Sequence, residues 1–204
     1  MDDSPAPGAL AGRSQHVLSL HRYPLKSADG EQLSEVRVGA AGLDDDRRWA
    51  LTAADGSVLT AKEAPGLRLA RAASRDGRLA VSVGDSPPVT DAPALEALTT
   101  LAGTPVTVHD APGGHQQVAA VHLVSTGAVS APDAPSGCDP VPRANIVLAL
   151  DRPGAERGWL GRRVALGDVE LRVTRTPSSC LGVYAEVLVP GVVRAGDEVR
   201  LLDA

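Results

Sequence analysis

The chain has 204 residues, room for one or two domains and for a core that needs no staples. Its 20 Lys and Arg against 25 Asp and Glu leave a net charge of −5, which argues against nucleic acid or an anionic membrane as partner. Cys138 and Cys180 alone make neither a disulfide scaffold, nor a paired-cysteine zinc module, nor a four-cysteine iron–sulfur cluster.

Residues 1–15 read as a disordered tail. Met1–Arg13 has no apolar stretch of the secretory kind, and no later run reaches the ~18–20 residues of a membrane helix, so a cytoplasmic protein is expected. From His16 the text turns to short strands. HVLSLHRYP alternates Val17, Ser19 and His21 against Leu18, Leu20 and Arg22, a strand stopped by Pro24. EVRV (35–38), RWALTA (48–53) and SVLTA (57–61) read as strands, with Asp55-Gly56 as the hairpin signal between the last two. LRLARAAS (67–74) and RLAVSV (78–83) form a second hairpin across Asp76-Gly77.

Ser86-Pro87-Pro88 reads as a linker. Asp91 then stands as an N-cap, with Pro93 near the helix start and Leu95, Leu98 and Leu101 at helical spacing before Gly103. TPVTVHD is a strand, APGGHQQ a glycine-rich loop, VHLVST (121–126) a strand and APDAPSGCDP (131–140) a proline-laden loop. ANIVLAL (144–150) reads as a buried strand, RRVALGDVELRVT (162–174) as a hairpin about Gly167-Asp168, and CLGVYAEVLV and GDEVRLL as closing strands. About a dozen strands and one helix imply a mainly β fold built of small barrel-like subdomains, divided as 16–90 and 91–204. With no Phe and only two Trp and two Tyr, its core must be Val, Leu and Ala.

Four clusters are candidates for chemistry. Lys26-Ser27, just past Pro24 and before Gly30, is either an exposed turn or an anion-holding turn with an ammonium, a hydroxyl and inward N–H groups. Asp44-Asp45-Asp46-Arg47-Arg48-Trp49 is either a structural salt bridge or a loop with one Arg turned inward to grip an oxyanion. Arg143-Ala144-Asn145 enters a buried strand, so Arg143 needs an acidic or anionic partner. Residues 143–175 carry seven Arg against four acids, which favours an anionic ligand near this half. Ser178-Ser179-Cys180 places a thiol in a polar break between strands, suited to reactivity or soft-metal ligation as well as to simple burial. His16, His21, His109, His115 and His122 show no metal spacing; His21 and His122 fall in strand text and read as core or edge residues.

In order, these segments resemble one family. YPLKSADG (23–30), GLDDDRRW (42–49) and LTAKEAPGL (59–67) resemble the β-barrel that precedes MOSC domains, named for the molybdenum cofactor sulfurase C-terminus. VHLVSTGAVSA (121–131), PRANIVL (142–148), ERGWLGRRVALGDVELRV (156–173), SSC (178–180) and GDEVRLL resemble the MOSC domain itself. The likeness spans residues 16–202, and the family includes the mitochondrial amidoxime-reducing component. It implies a MOSC-like fold with a molybdopterin cofactor held between two β subdomains. It also implies Cys180 as the metal-ligating, catalytic thiolate. Lys26, Ser27 and Arg47 would bind pterin and phosphate, with Arg143 and Asn145 of the R-P-N signature and the Ser125-Thr126 turn as further contacts. Three positions depart from the pattern: Ser178-Ser179-Cys180 lacks the first Cys and the Arg of C-x-R-C, Ala144 replaces the signature proline, and Glu186 stands for the usual aspartate.

The function expected from the resemblance is a molybdenum-dependent oxidoreductase. It would reduce N-hydroxylated or related N–O/S–O small molecules by two electrons. Electrons would come from a separate iron–sulfur or flavin protein, since neither segment is visible here. The alternatives are a non-catalytic carrier of the cofactor, or of sulfur on Cys180, and a fold that keeps only a binding role.

Overall fold

The computed structural model describes residues 15–112, 114, 119–130, 143–177 and 180–202. The tail 1–14, His115, the loop 131–140 with Cys138, and Ser178-Ser179 lie outside the described residues.

The first strand, β1 (His16–Arg22), buries Val17 and Leu20 rather than one alternating set, and Leu18 is 47% exposed. The cause is a register shift between Val17 and Ser19, a bulge that turns the strand's inward face over within one element. β2 (Glu31–Leu33) pairs back on β1. β3 (Glu35–Gly39) and β4 (Gly42–Leu43) form a tight antiparallel pair. β5 (Trp49–Thr52) and β6 (Val58–Leu59) close around Asp55-Gly56 as expected. The segment 65–69 is a 3-10 turn, because Pro65 sets a helical φ at its start, so the strand expected from Leu67 begins at Ala70. β7 (Ala70–Arg75) and β8 (Arg78–Val83) meet across Asp76 and Gly77, at φ 51° and 71°, the two positive values of a type I′ turn.

β9 (Val89–Thr90) pairs with β8 where the sequence suggested only a linker. The helix α1 (Asp91–Ala102) has Thr90, not Asp91, at its N-cap position, and ends at left-handed Gly103. Asp91 instead forms an ion pair with Arg78. The helix buries Ala94 and Leu98 while Leu95 stays outside.

The remaining strands are β10 (Thr107–Asp110), β11 (Val121–Ser125), β12 (Ile146–Ala149), β13 (Arg163–Leu166), β14 (Val169–Arg175), β15 (Val183–Val189), β16 (Gly191–Arg194) and β17 (Val199–Leu202). Among the described residues one curled sheet runs β17-β13-β14-β15-β11-β12-β1-β2, antiparallel except between β11 and β12. Three-stranded sheets β10-β5-β6, β16-β3-β4 and β7-β8-β9 complete a mainly β fold. No helix among the described residues is long and apolar enough to cross a membrane.

Two apolar cores result, built of Val, Leu and Ala with Trp49 in one and Trp159 in the other. One joins Val17, Leu20, Val36 and Val38 to Leu123, Ile146, Leu166, Leu171 and Val193. The other joins Leu25, Trp49, Leu51 and Leu67 to Ala94 and Leu98 of α1. The cores interleave along the chain instead of parting at residue 90: β1 and β3 belong with the C-terminal strands, and the helix belongs with residues 25–81. A small third cluster, Val124, Ala128, Ala144 and Leu181, lies where the ends of β11 and β12 meet the segment before β15.

Candidate functional site

The turn after β1 is closed by the Ala28 N–H donating to the Leu25 carbonyl, and the Lys26 N–H donates to the Trp49 carbonyl of β5. Ser27 occupies the third position of this turn at φ 72°, where a type II turn wants glycine. Gly30 lets the loop return, since a Cβ there would lie 2.1 Å from the Arg22 carbonyl oxygen and 2.7 Å from the Tyr23 ring. Lys26 has no ion-pair partner among the described residues.

The loop 44–48 clamps onto the same place. The Tyr23 N–H donates to Asp46 Oδ1 at 2.9 Å, and the Arg47 N–H donates to the Tyr23 carbonyl at 2.9 Å. Asp45 and Arg47 both sit at positive φ, 60° and 51°. That backbone sends the two adjacent arginines in opposite directions. Arg48 takes the structural pairing: Asp110 receives it bidentately at 2.6 and 2.8 Å, Asp45 receives it at 3.0 Å, and these bonds hold it still more firmly protonated. Arg47 turns inward, pairs with Asp46, donates to the Arg143 carbonyl, and lies 4.9 Å from the Tyr23 ring centre. Arg48 thus takes the salt bridge that the sequence allowed, while Arg47 is the arginine turned inward.

Arg143 lies 4.8 Å from the same ring. Desolvation, then the neighbouring Arg47 charge, draws its guanidinium below the ordinary value, and Tyr23 opposes this. Burial raises the Tyr23 phenol, and the two guanidinium groups oppose that rise. Two cations on one aromatic ring gain cation–π attraction of about 0.5–2 kcal/mol each but repel one another.

Cys180 completes the group, partly exposed and, among the described residues, not in a disulfide. Its position follows from two neighbours. Leu181 is buried in the small cluster, and Gly182, at φ 79°, presses so closely on β11 that a Cβ would lie 2.0 Å from the Leu123 carbonyl oxygen.

These side chains share a cavity of about 250 Å³ whose wall includes Lys26, Ser27, Asp46, Arg47, His122, Arg143, Asn145, Cys180 and Tyr184. Six of the sequence-derived residues thus meet in one place, and among the described residues three cations line it against one carboxylate, Asp46. Asn145 lines the cavity but its amide also braces the fold: Oδ1 accepts the His122 N–H at 3.1 Å and Nδ2 donates to the His21 carbonyl at 3.4 Å. Ser125 and Thr126 line instead an adjoining cavity of about 640 Å³. Tyr23 and Leu181 line this second cavity and stand next to the first. Ser125 Oγ accepts the Gly154 N–H at 2.7 Å, while its own N–H donates to buried Glu156. Its hydroxyl is thereby tied to the 154–156 turn.

Sequence reasoning missed Tyr23, His122 and Tyr184. Tyr23 lay inside a quoted motif, whereas His122 and Tyr184 are strand residues with nothing in their local text to set them apart.

Fold and cavity define a barrel-type β protein with a cation-rich cleft that carries one thiol. More specifically, the MOSC N-terminal beta barrel domain model matches residues 14–126, over half of the chain, and the chain belongs to that family, which is linked to the molybdenum cofactor. Lys26, Ser27 and Arg47 lie inside the matched segment; Arg143, Asn145 and Cys180 lie beyond it. No curated protein matches the chain. Among solved structures, the crystal structure of APC1665, the YUAD protein from Bacillus subtilis, aligns at 13% identity with a TM-score of 0.48, covering 92% of this chain and 94% of that one.

The residues present fit that cofactor chemically. A thiol is a soft donor suited to molybdenum, and an ammonium with two guanidinium groups suits a phosphate. Among the described residues no group of three or more His, Cys, Asp or Glu forms a metal cage.

Proposed function

We propose that the chain binds a molybdopterin form of the molybdenum cofactor and that the loaded protein reduces N–O or S–O bonds of small molecules, with electrons from a separate donor protein. What supports this reading is one observation: the Cys180 thiol and the unbalanced cations Lys26, Arg47 and Arg143 face one cavity, drawn together from segments far apart in sequence. Cys180 Sγ would ligate the metal. Lys26, the Ser27 turn, Arg47 and Arg143 would hold the phosphate and pterin end, and Thr126 would meet a ligand that extends into the larger cavity. When bound, the group supplies a metal centre able to pass two electrons to the substrate.

The chain's own part is to bind and orient. The cations neutralise the phosphate, and the αL turns at Ser27 and Arg47 aim their groups before any ligand arrives. Reduction of an N–O bond takes two electrons from the donor protein and two protons from solvent, and releases water.

The test is elemental analysis for molybdenum together with oxidised-pterin fluorescence, on protein from a host that makes the cofactor. Near-stoichiometric metal and pterin, with metal lost in Cys180→Ser, is the expected result. Unchanged metal in that variant overturns the ligand assignment. Pterin without metal in the parent protein indicates a carrier, and absence of both in folded protein overturns the reading.

A further inference from the structure

His122 lies in the middle of the loops that bear the site. It is a buried residue of β11, and its ring Nε2–H donates to the Leu181 carbonyl at 2.7 Å, one residue beyond the thiol. Its backbone exchanges hydrogen bonds with Asn145: the His122 N–H goes to Asn145 Oδ1 at 3.1 Å, and the Asn145 N–H goes to the His122 carbonyl at 2.9 Å. Its ring also packs on Tyr184, 4.9 Å between centres. One residue therefore ties the Arg143–Asn145 segment to the Cys180–Tyr184 segment.

We infer that His122 is a positioning residue for Cys180, its Nε2–H bond to Leu181 fixing the direction in which the thiol enters the cavity. The inference rests on the proposed role of Cys180 as ligand, but it concerns only this chain's own groups. Leu181 is gripped by its side chain and Gly182 by its backbone, yet neither contact fixes the rotation of the peptide between Leu181 and Gly182. A hydrogen bond to that peptide's carbonyl does. The position demands a side chain that reaches across a strand gap, offers one N–H and remains uncharged beside Arg47 and Arg143. Lys and Arg would add a fourth cation to the cavity wall, and Leu would leave the carbonyl unsatisfied. Imidazole meets all three requirements, and burial draws it below its ordinary pKa against the opposing effect of the Leu181 carbonyl, which favours the protonated ring.

The test reads the thiol without metal or pterin. Full-length protein is made in a host lacking the cofactor, with Cys138→Ser so that Cys180 alone reports, and its alkylation by iodoacetamide is timed at fixed pH and well below Tm. His122→Leu is expected to shift the Cys180 rate about fivefold or more, the scale of one lost hydrogen bond. His122→Gln, which places an amide N–H near the Nε2 position, is expected to stay within about twofold of the parent. Equal rates for parent and His122→Leu, or equal displacement of Leu and Gln variants at matched Tm, overturn the inference. Should His122→Leu fail to fold, His122→Asn, whose shorter amide cannot reach Leu181, takes its place under the same criteria. A protein that never loads molybdenum would sink the proposed function yet leave these rates to be judged alone.

Discussion

Arg47 donates from Nη2 to the backbone carbonyl of Arg143 at 3.2 Å, across 96 positions of sequence. The bond holds two like-charged groups at one cavity wall, an arrangement that an anion relieves. Arg47→Ala is accordingly expected to lower pterin retention about ten- to a hundredfold, the worth of a charge-assisted contact, while changing stability much less. Pterin content after gel filtration, set beside Tm, checks this. Arg47→Lys should restore little, because a point charge cannot both pair with Asp46 and reach the Arg143 carbonyl.

Ser27 holds φ 72° without being glycine. Such backbone costs on the order of 1 kcal/mol. Ser27→Gly is therefore expected to hold or raise Tm while pterin retention falls, since strain is relieved and a hydroxyl is lost at the cavity. Thermal melts with parallel pterin assays separate the two effects; a clear fall in Tm would show that the turn carries no strain.

The Glu31 side chain is 8% exposed and joins three elements: it pairs with Arg22 at 2.8 Å and with Arg75, and accepts the Ser74 N–H at 2.9 Å. Burial pushes its carboxyl up, but Ser74, Arg75 and Arg22 together outweigh burial and hold it below the ordinary 4.5. Because the folded value is the lower one, the stabilisation is whole above about 4.5 and is lost as pH falls below it. Glu31→Gln should cost about 1–3 kcal/mol at neutral pH and flatten the acid limb below 4.5. Urea melts at pH 7 and pH 3.5 check both parts; a parent and variant that differ equally at the two values would refute it.

Much of this was legible in the residues. Asp76-Gly77 announces its turn because only small or αL-tolerant residues suit type I′ geometry, and that turn formed. Lys26 in its turn, Arg47 in its acidic loop, Arg143 at the entry to a buried strand and Cys180 in a break between strands were each marked by a charge or thiol, and the fold brings them together. The choice between Arg47 and Arg48 was not legible from composition alone. The family resemblance singled out Arg47, and the structure tells the two neighbours apart by the φ of 51° at Arg47 and by the pairing of Arg48 with Asp110. The reversal of faces in β1 escaped for a like reason: a bulge changes no residue, only the partner count. His122 escaped because VHLVS is ordinary strand text, and its importance comes from Leu181 and Asn145, far off in the chain.

Strand β3 pairs with β16, and the Val17 N–H donates to the Asp197 carbonyl. On a ribosome, β1 and β3 emerge long before these partners exist. The first core must therefore wait, its early half unsheltered, until β16 and β17 have been made. Lys26 and Arg47 leave the exit tunnel well ahead of Cys180, so the cleft that brings them together cannot form until Cys180 has followed, and any ligand is captured only after that.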